Sequence, residues 1–146
     1  MSLSVRSLRT SIFVDTSAFF ALADQTDQFH SLAVQYIEST DRLLVTCNFV
    51  VHETITLLRM RLGHEPAVQF GRRLLSEAAI PVIRVTPADE RRAWEIFRQH
   101  RDKRFSFVDC TSFAIMRRVG MRTAFAFDED FRQFGNWIVQ PSIEEH

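Results

Sequence analysis

The carboxylates best placed to do chemistry stand at the ends of predicted strands or near the starts of predicted helices. Asp15 and Asp128 each end a short apolar run, and Asp130 follows two residues after Asp128. Glu53 falls in the second turn of an unusually apolar predicted helix, and Asp109 falls in the first turn of a later one. Taken singly, each has a structural explanation as a helix cap, a solvated helix residue or a turn residue.

Taken together, these acids fit the binding of a hard divalent cation. Mg²⁺ takes carboxylate oxygens, keeps several waters and is held by a few acids together with substrate phosphate. A pair of such ions can stabilise both the attacking and the leaving oxygen of a phosphoryl displacement. Carboxylates crowded without a cation would repel and raise one another's pKa. The acids therefore favour a Mg²⁺ or Mn²⁺ site.

The rest of the sequence predicts elements that could position these acids at one edge of a sheet. Apolar runs predict strands at 11–15, 43–46, 81–85, 123–127 and 137–139, and helical periodicity predicts helices at 17–24, 29–39, 49–62, 66–79, 87–100 and 107–120. Strands separated by helices indicate right-handed crossovers and a parallel sheet, whose ligands bind beyond the carboxyl ends of the strands. We predict an α/β fold, a three-layer α/β/α sandwich around a mainly parallel sheet of four or five short strands.

Local signals mark where several helices begin and end. Asn48 is predicted to be an N-cap residue, and Thr86 and Ser106 each begin a capping box with an aspartate three residues later. Gly63 and Gly120 are predicted to stop the helices that precede them.

Composition points to one globular domain. The 146 residues are 46% hydrophobic and 25% charged, and we expect a single domain over residues 11–140 with flexible termini at 1–10 and 141–146. Two isolated cysteines, Cys47 and Cys110, do not make a zinc site or a disulfide framework. No apolar run is long enough to span a membrane, and the first ten residues lack a secretory signal. We expect a cytoplasmic protein.

The net charge of zero removes the simplest electrostatic argument for a nucleic-acid-binding protein, which would be strongly basic. Of the 18 basic residues, however, all but Lys103 are arginine. The densest basic stretch contains Arg101, Lys103 and Arg104 just before Asp109. It could be a solvated loop, or it could hold RNA phosphates beside an acidic metal site.

Four segments together resemble the PIN-domain nucleases, and most of all the VapC-type toxins of bacterial toxin–antitoxin pairs. They are VDTSAFFAL at 14–22, VVHETITLL at 50–58, FSFVDCTSFAIMRR at 105–118 and FAFDEDF at 125–131. By this resemblance, Asp15, Glu53, Asp109 and Asp128 are the catalytic, metal-binding acids and Asp130 is an auxiliary ligand. Three small hydroxyls match positions that orient a carboxylate or a water on the metal, and these are Thr16, Ser17 and Ser112.

The resemblance implies a Mg²⁺- or Mn²⁺-dependent endoribonuclease that is the toxin of a toxin–antitoxin pair, with RNA as substrate, a homodimeric state and a small antitoxin as partner. The first alternative is a PIN-like module that binds RNA or protein without cutting it. The second is a phosphoacceptor receiver domain, which needs a lysine close to its acidic pocket. Lys103 lies instead in a charged loop.

Overall fold

The computed structural model describes residues 5–143, in which strands and helices alternate as the sequence predicts. The elements are α1 (Val5–Arg9), β1 (Ile12–Val14), α2 (Thr16–Ala23), α3 (His30–Ser39), β2 (Leu44–Cys47), α4 (Asn48–Arg61), α5 (His64–Gly71), β3 (Val82–Ile83), α6 (Pro87–Gln99), α7 (Phe107–Val119), β4 (Thr123–Phe125), α8 (Asp130–Phe134) and β5 (Ile138–Gln140).

The strands form a parallel sheet in the order β3-β2-β1-β4-β5. Ile12 of β1 is in register with Leu44 of β2 on one side and with Thr123 of β4 on the other. The chain runs outward from β1 to β3 and then returns to place β4 against β1, so the order reverses between β1 and β4. In open α/β sheets this reversal is where ligands bind. The predicted α/β class with a mainly parallel sheet is confirmed.

Helices cover both faces of the sheet, and successive strand residues point to opposite faces. The ring of Phe13 in β1 meets Phe131 of α8, with centroids 6.4 Å apart. On the other face, the ring of Phe125 in β4 meets Tyr36 of α3 at 4.7 Å. Every residue of β1 is at most 1% exposed. The sheet is therefore a buried central layer.

Several predicted helix ends are confirmed, and one predicted helix cap is wrong. Both capping boxes are present, at Thr86 and Ser106, and Gly120 ends α7 in a left-handed conformation with φ of 74°. The prediction that Asn48 caps α4 is wrong. Cys47 has the extended backbone of the cap position, while the Asn48 side chain accepts a hydrogen bond from the Val85 N–H at 2.8 Å. A distant backbone donor therefore takes the oxygen that a cap would use.

The predicted helix at 66–79 is two segments in the structure. α5 covers His64–Gly71, and the chain then widens into a π-helical turn over Arg72–Ser76. Within this turn Leu74 is buried, whereas Leu75 is 56% exposed.

Residues 5–9, inside the segment expected to be flexible, form α1, and Leu8 packs against the core. Residues 1–4 and 144–146, the outer parts of the expected flexible termini, lie outside the described residues. Within 5–143, none of the helices combines the length and the apolar composition needed to span a bilayer.

Candidate active site

Asp15 lies where β1 ends and α2 begins. It is the N-cap of α2, and its Oδ2 accepts hydrogen bonds from the Ser17 backbone N–H at 3.2 Å and from the Ser17 hydroxyl at 2.7 Å. The side chain is 2% exposed. The cap therefore explains the local geometry of Asp15, and the buried strand end places its carboxylate at the reversal point of the sheet.

Asp109 reaches the same place from the first turn of α7. In the capping box, its Oδ2 accepts from the Ser106 backbone N–H at 2.9 Å, while the Ser106 hydroxyl accepts from the Asp109 N–H at 3.0 Å. The capping box fixes the side chain of Asp109 but uses only one of its two carboxylate oxygens. The helix-capping explanation and the site hypothesis are both compatible with this geometry.

Asp128 completes the group from the chain that leaves β4. Its Oδ1 accepts from the Asp130 backbone N–H at 3.1 Å, which orients the turn into α8. One carboxylate oxygen from each of Asp15, Asp109 and Asp128 lies within 4.8 Å of the other two. Three acids separated by up to 113 positions in sequence (15 to 128) thus converge on one point.

Burial raises the pKa values of all three acids, and for Asp109 and Asp128 the neighbouring carboxylates add to the effect. Burial, with the negative charge of Asp15 next, raises the pKa of Asp128 to about 9. Burial, a hydrogen bond to Asp130 and the charge of Asp15 raise the pKa of Asp109 to about 8. Burial also raises the pKa of Asp15, although Ser17 and Asp128 act in the opposite direction by hydrogen bonding to it. Such a group favours either protonation or a bound cation.

Glu53 and Asp130 lie at the margin of the group. Both line the same cleft, although neither belongs to the trio within 4.8 Å. Burial, followed by the charge of Asp15, raises the pKa of the half-buried Glu53, while the nearby Thr16 hydroxyl lowers it. Asp130 lies close enough to Asp109 that its carboxyl group contributes to the raised pKa of Asp109. Glu53 and Asp130 are therefore placed to support the three converging aspartates at the same site.

The three small hydroxyls have different environments. Ser17 contacts Asp15 directly. The Thr16 hydroxyl faces Glu53 but is buried without a hydrogen-bond partner of its own among the described residues. The Ser112 hydroxyl donates instead to the Val108 carbonyl at 3.1 Å, so its bond is to the helix backbone.

The residues present fit a hard divalent cation. Carboxylate oxygens are its preferred ligands, and three of them converge here with raised pKa values, which a cation would reverse. The buried Thr16 hydroxyl, which lacks a hydrogen-bond partner among residues 5–143, supplies a further oxygen at the cleft. The cysteine thiols are buried elsewhere in the core and do not line the cleft.

Comparison with known proteins identifies the family. The sequence matches the PIN-domain family over residues 12–136, which spans every element from β1 to α8. This chain belongs to the PIN-domain family. The resemblance deduced from the four motifs is confirmed.

The PIN domain is also similar to a characterised toxin. It is 42% identical to the 23S rRNA-specific endonuclease VapC20 of Mycobacterium tuberculosis, in strains CDC 1551 and H37Rv, over 130 residues that cover 89% of this chain and 98% of the relative. The crystal structure of Mycobacterium tuberculosis VapC20, described as a toxin that cleaves the sarcin–ricin loop, superposes with a TM-score of 0.81 at 41% identity. That alignment covers 86% of this chain and 95% of VapC20.

Two arginines line the cleft of this PIN domain beside the acids. The cleft has a volume of about 470 Å³, and its lining includes Arg61 from the end of α4 and Arg104 from the loop before α7. The Arg61 guanidinium lies 5.4 Å from the centre of the Phe20 ring. Of the predicted RNA-binding residues, Arg104 is therefore at the cleft, whereas Arg101 and Lys103 are exposed on the loop outside its lining.

The sequence reasoning missed Arg61 as a site residue. A basic residue in the last turn of a helix is already explained by the helix dipole, so Arg61 does not stand out as a site residue. The signal was present, since Glu53, Leu57 and Arg61 are spaced four residues apart and share one face of α4. The face of α4 that brings Glu53 to the cleft therefore also brings Arg61 there, two turns further along the helix.

Proposed function

We propose that this PIN domain is a divalent-metal-dependent endoribonuclease. The convergence of Asp15, Asp109 and Asp128 within 4.8 Å at the reversal point of the sheet carries the proposal. It is supported by 42% identity to an endonuclease that acts on 23S rRNA. The intact set of acids argues against the alternative of a PIN-like module that binds without cutting, because a module with no catalytic role has no need to bury carboxylates together.

The proposed division of roles follows from position. Asp15, Asp109 and Asp128 hold Mg²⁺ or Mn²⁺, while Glu53 and Asp130 extend the ligand set. When bound, the cation lowers the pKa of a water molecule and offsets negative charge on the scissile phosphate. Ser17 holds Asp15 in place through the hydrogen bond between their side chains. The converging acids include no obvious side-chain nucleophile, so water is the proposed nucleophile, leaving 5′-phosphate and 3′-hydroxyl ends.

RNA would enter the cleft between its two cationic side chains. Arg61 and Arg104 line the same cleft as the acids, and a guanidinium matches the geometry of a phosphate group. We propose that they bind phosphates on either side of the scissile bond. Arg101 and Lys103 would then contact more distant phosphates from the exposed loop.

The similarity to VapC20 extends the proposal to the biological role and the partners of this chain. We propose that the chain is the cytoplasmic toxin of a toxin–antitoxin pair, that it forms a homodimer and that a small antitoxin protein binds it. The relative is described as a toxin that cleaves the sarcin–ricin loop. The corresponding loop of 23S rRNA is thus the first substrate to test.

The test compares Asp15→Asn with Asp41→Asn, which removes the same charge at an exposed position away from the cleft. We expect Asp15→Asn to abolish cleavage of 23S rRNA in Mg²⁺ or Mn²⁺, while the control cleaves normally. In EDTA, Asp15→Asn should be more stable than the wild type by about 1 kcal/mol, because a buried anionic group loses one charge. Mg²⁺ should raise the melting temperature of the wild type much more than that of the variant.

Retained metal-dependent cleavage by Asp15→Asn would contradict the role given to Asp15. Melting that does not respond to Mg²⁺ or Mn²⁺ in the wild type, together with no cleavage, would favour the non-catalytic alternative.

A further inference from the structure

Three aromatic side chains form a continuous exposed surface, here called the aromatic row: Trp94, Phe97 and Phe107. They are 56%, 43% and 37% exposed, respectively. The rings of Trp94 and Phe97 stack with centroids 6.1 Å apart, and Phe97 meets Phe107 edge to face at 6.3 Å. Single exposed apolar residues are ordinary, but adjoining exposed rings mark an interaction surface.

The aromatic row begins beside the acidic cleft. α6 and α7 pack antiparallel, since Phe97 near the end of α6 meets Phe107 at the start of α7, while Asp89 near the start of α6 binds Arg118 near the end of α7. Phe107 directly follows Ser106, which lines the cleft, and precedes Asp109 by two residues. The row therefore leads from the site along α6 towards Trp94.

Cationic side chains accompany the aromatic row. Arg91 and Arg98 lie one turn to either side of Trp94 on α6, and Arg101 and Arg104 continue from the end of α6 to the cleft. All four arginines are exposed, and none has a carboxylate within ion-pair distance among residues 5–143. Exposed rings next to unpaired guanidinium groups are the combination that single-stranded nucleic acid requires.

We propose that the aromatic row binds unpaired bases of the RNA substrate next to the scissile phosphate, with Arg98 and Arg101 holding the intervening phosphates. The inference rests on the proposed ribonuclease function and adds to it a surface outside the acidic cleft that binds unstacked bases of the substrate. Stacking on a planar ring accepts any base, whereas the bases of a duplex present no free face. The continuity of the row with the cleft favours the RNA itself as the occupant over a protein partner.

The test measures RNA binding in EDTA, where affinity is read without cleavage. The probes are an RNA hairpin carrying the sarcin–ricin loop and a fully paired duplex of the same length, both labelled for fluorescence anisotropy. We expect the wild type to prefer the hairpin and Trp94→Ala to weaken hairpin binding by about 10-fold, the loss of one stacked base. Trp94→Tyr, which keeps a ring, should restore most of the affinity. Leu75→Ala is the matched control, since Leu75 is also 56% exposed but aliphatic and remote in sequence.

Two further measurements separate stacking from loss of apolar surface and from charge. Trp94→Leu should behave like Trp94→Ala, because it keeps apolar cover but offers no aromatic face. Arg98→Gln should reduce the slope of log affinity against log salt by about 0.7, the value for one phosphate contact on a single strand. In Mg²⁺, Trp94→Ala should raise KM for the hairpin with kcat unchanged.

Equal hairpin affinity in the wild type, Trp94→Ala and Phe97→Ala would overturn the inference while leaving the ribonuclease proposal intact. Loss of self-association in Trp94→Ala, seen by sedimentation with RNA affinity unchanged, would also overturn it, by assigning the row to a protein interface. Absence of wild-type cleavage with Mg²⁺ or Mn²⁺ would instead refute the ribonuclease proposal. The binding measurements in EDTA would still show whether the aromatic row binds RNA.

Discussion

The Ser17 hydroxyl ties the start of α2 to the chain leaving β4, because it accepts a hydrogen bond from the Phe127 backbone N–H at 3.0 Å. The same hydroxyl donates to Asp15 Oδ2 at 2.7 Å. Ser17 and Phe127 are 110 positions apart in sequence. One side chain therefore fixes the distance between the two strand ends that carry Asp15 and Asp128.

Ser17→Ala should lower both activity and stability. The variant leaves the buried Phe127 N–H without its partner and removes the shortest hydrogen bond to Asp15, which should cost about 1–3 kcal/mol of unfolding free energy. We expect kcat to fall more than KM rises, because the geometry of the metal-binding acids loosens while the arginines proposed to bind RNA are unchanged. Ser39→Ala is the control, since the Ser39 hydroxyl bonds a helix carbonyl at an exposed position. Equal effects of the two substitutions in urea unfolding and RNA cleavage would contradict the assignment.

Stability in EDTA should fall as pH rises. The pKa of Asp109 is raised to about 8 and that of Asp128 to about 9, both chiefly by burial. An unfolded aspartate titrates near pH 4, so the folded state holds more protons between about pH 4 and 9. The stability that these protonated groups contribute is fully present below about pH 4 and is lost as pH rises towards 9.

Urea unfolding at pH 6, 7.5 and 9, with and without Mg²⁺, measures this dependence. Asp128→Asn is the matched variant, because it keeps the side-chain size but cannot ionise, and its stability in EDTA should depend less steeply on pH. Mg²⁺ should flatten the wild-type dependence by favouring the ionised carboxylates. Identical pH profiles for the two proteins in EDTA would show that Asp128 titrates normally.

Arg118→Gln should destabilise the protein without affecting the site. Arg118 donates to both carboxylate oxygens of Asp89, from Nε at 2.7 Å and from Nη2 at 2.9 Å. Burial acts to raise the pKa of Asp89, but Arg118 and Thr86 outweigh it and hold that pKa below its usual value. The expected loss is about 2 kcal/mol, less than for a fully buried pair because 43% of the Arg118 side chain is exposed.

The stability contributed by the Arg118–Asp89 pair should depend on pH with the opposite sign to the stability contributed by the acidic cleft. A lowered carboxyl pKa gives stability above the unfolded pKa that is lost as pH falls through the folded pKa, so the loss in Arg118→Gln should shrink below about pH 4. Arg92→Gln, at an exposed position on α6, is the control for charge alone. A pH-independent difference in urea unfolding would mean that the pair does not act through charge.

Both cysteines should react slowly in the native protein. Cys47 and Cys110 are fully buried, and burial raises the pKa of Cys47 to about 11. Burial, with the charge of Asp109 next, raises the pKa of Cys110 to about 12. Because the thiolate is the reactive form, labelling by a thiol reagent at pH 7 should be more than about 100-fold slower than in denaturant. Rapid labelling of both in buffer, or a disulfide between them, would contradict this.

The parts of the structure that could be predicted from sequence are those decided by neighbouring residues. The capping boxes at Thr86 and Ser106 depend on side chains three positions apart, and both are present. The position of Asp15 at a strand end followed from the apolar run before it, and strand ends of a parallel sheet meet at one edge. Local rules therefore placed the elements and brought the acids towards a common edge.

The errors arose where a distant group decides the outcome. Asn48 has the right residue type for a cap, but its oxygen accepts instead from Val85, 37 positions away. The Ser17 bond to Phe127 crosses an even longer interval. Periodicity within the predicted helix at 66–79 does not reveal the π-helical turn at Arg72–Ser76, where Leu74 packs into a core formed by distant elements.

The acids of the cleft differ in what else they do, and this bears on how activity could be lost in evolution. Asp15 caps α2 and Asp109 completes the capping box of α7, but in a descendant that no longer cuts RNA an asparagine could accept the same hydrogen bonds without the charge. Asp128 likewise accepts a backbone hydrogen bond at a turn. The Glu53 side chain makes no hydrogen bond to the backbone of the described residues, and its burial raises its pKa. Its replacement by an apolar residue would relieve that cost, which makes Glu53 the position most informative for separating active from inactive descendants of this chain.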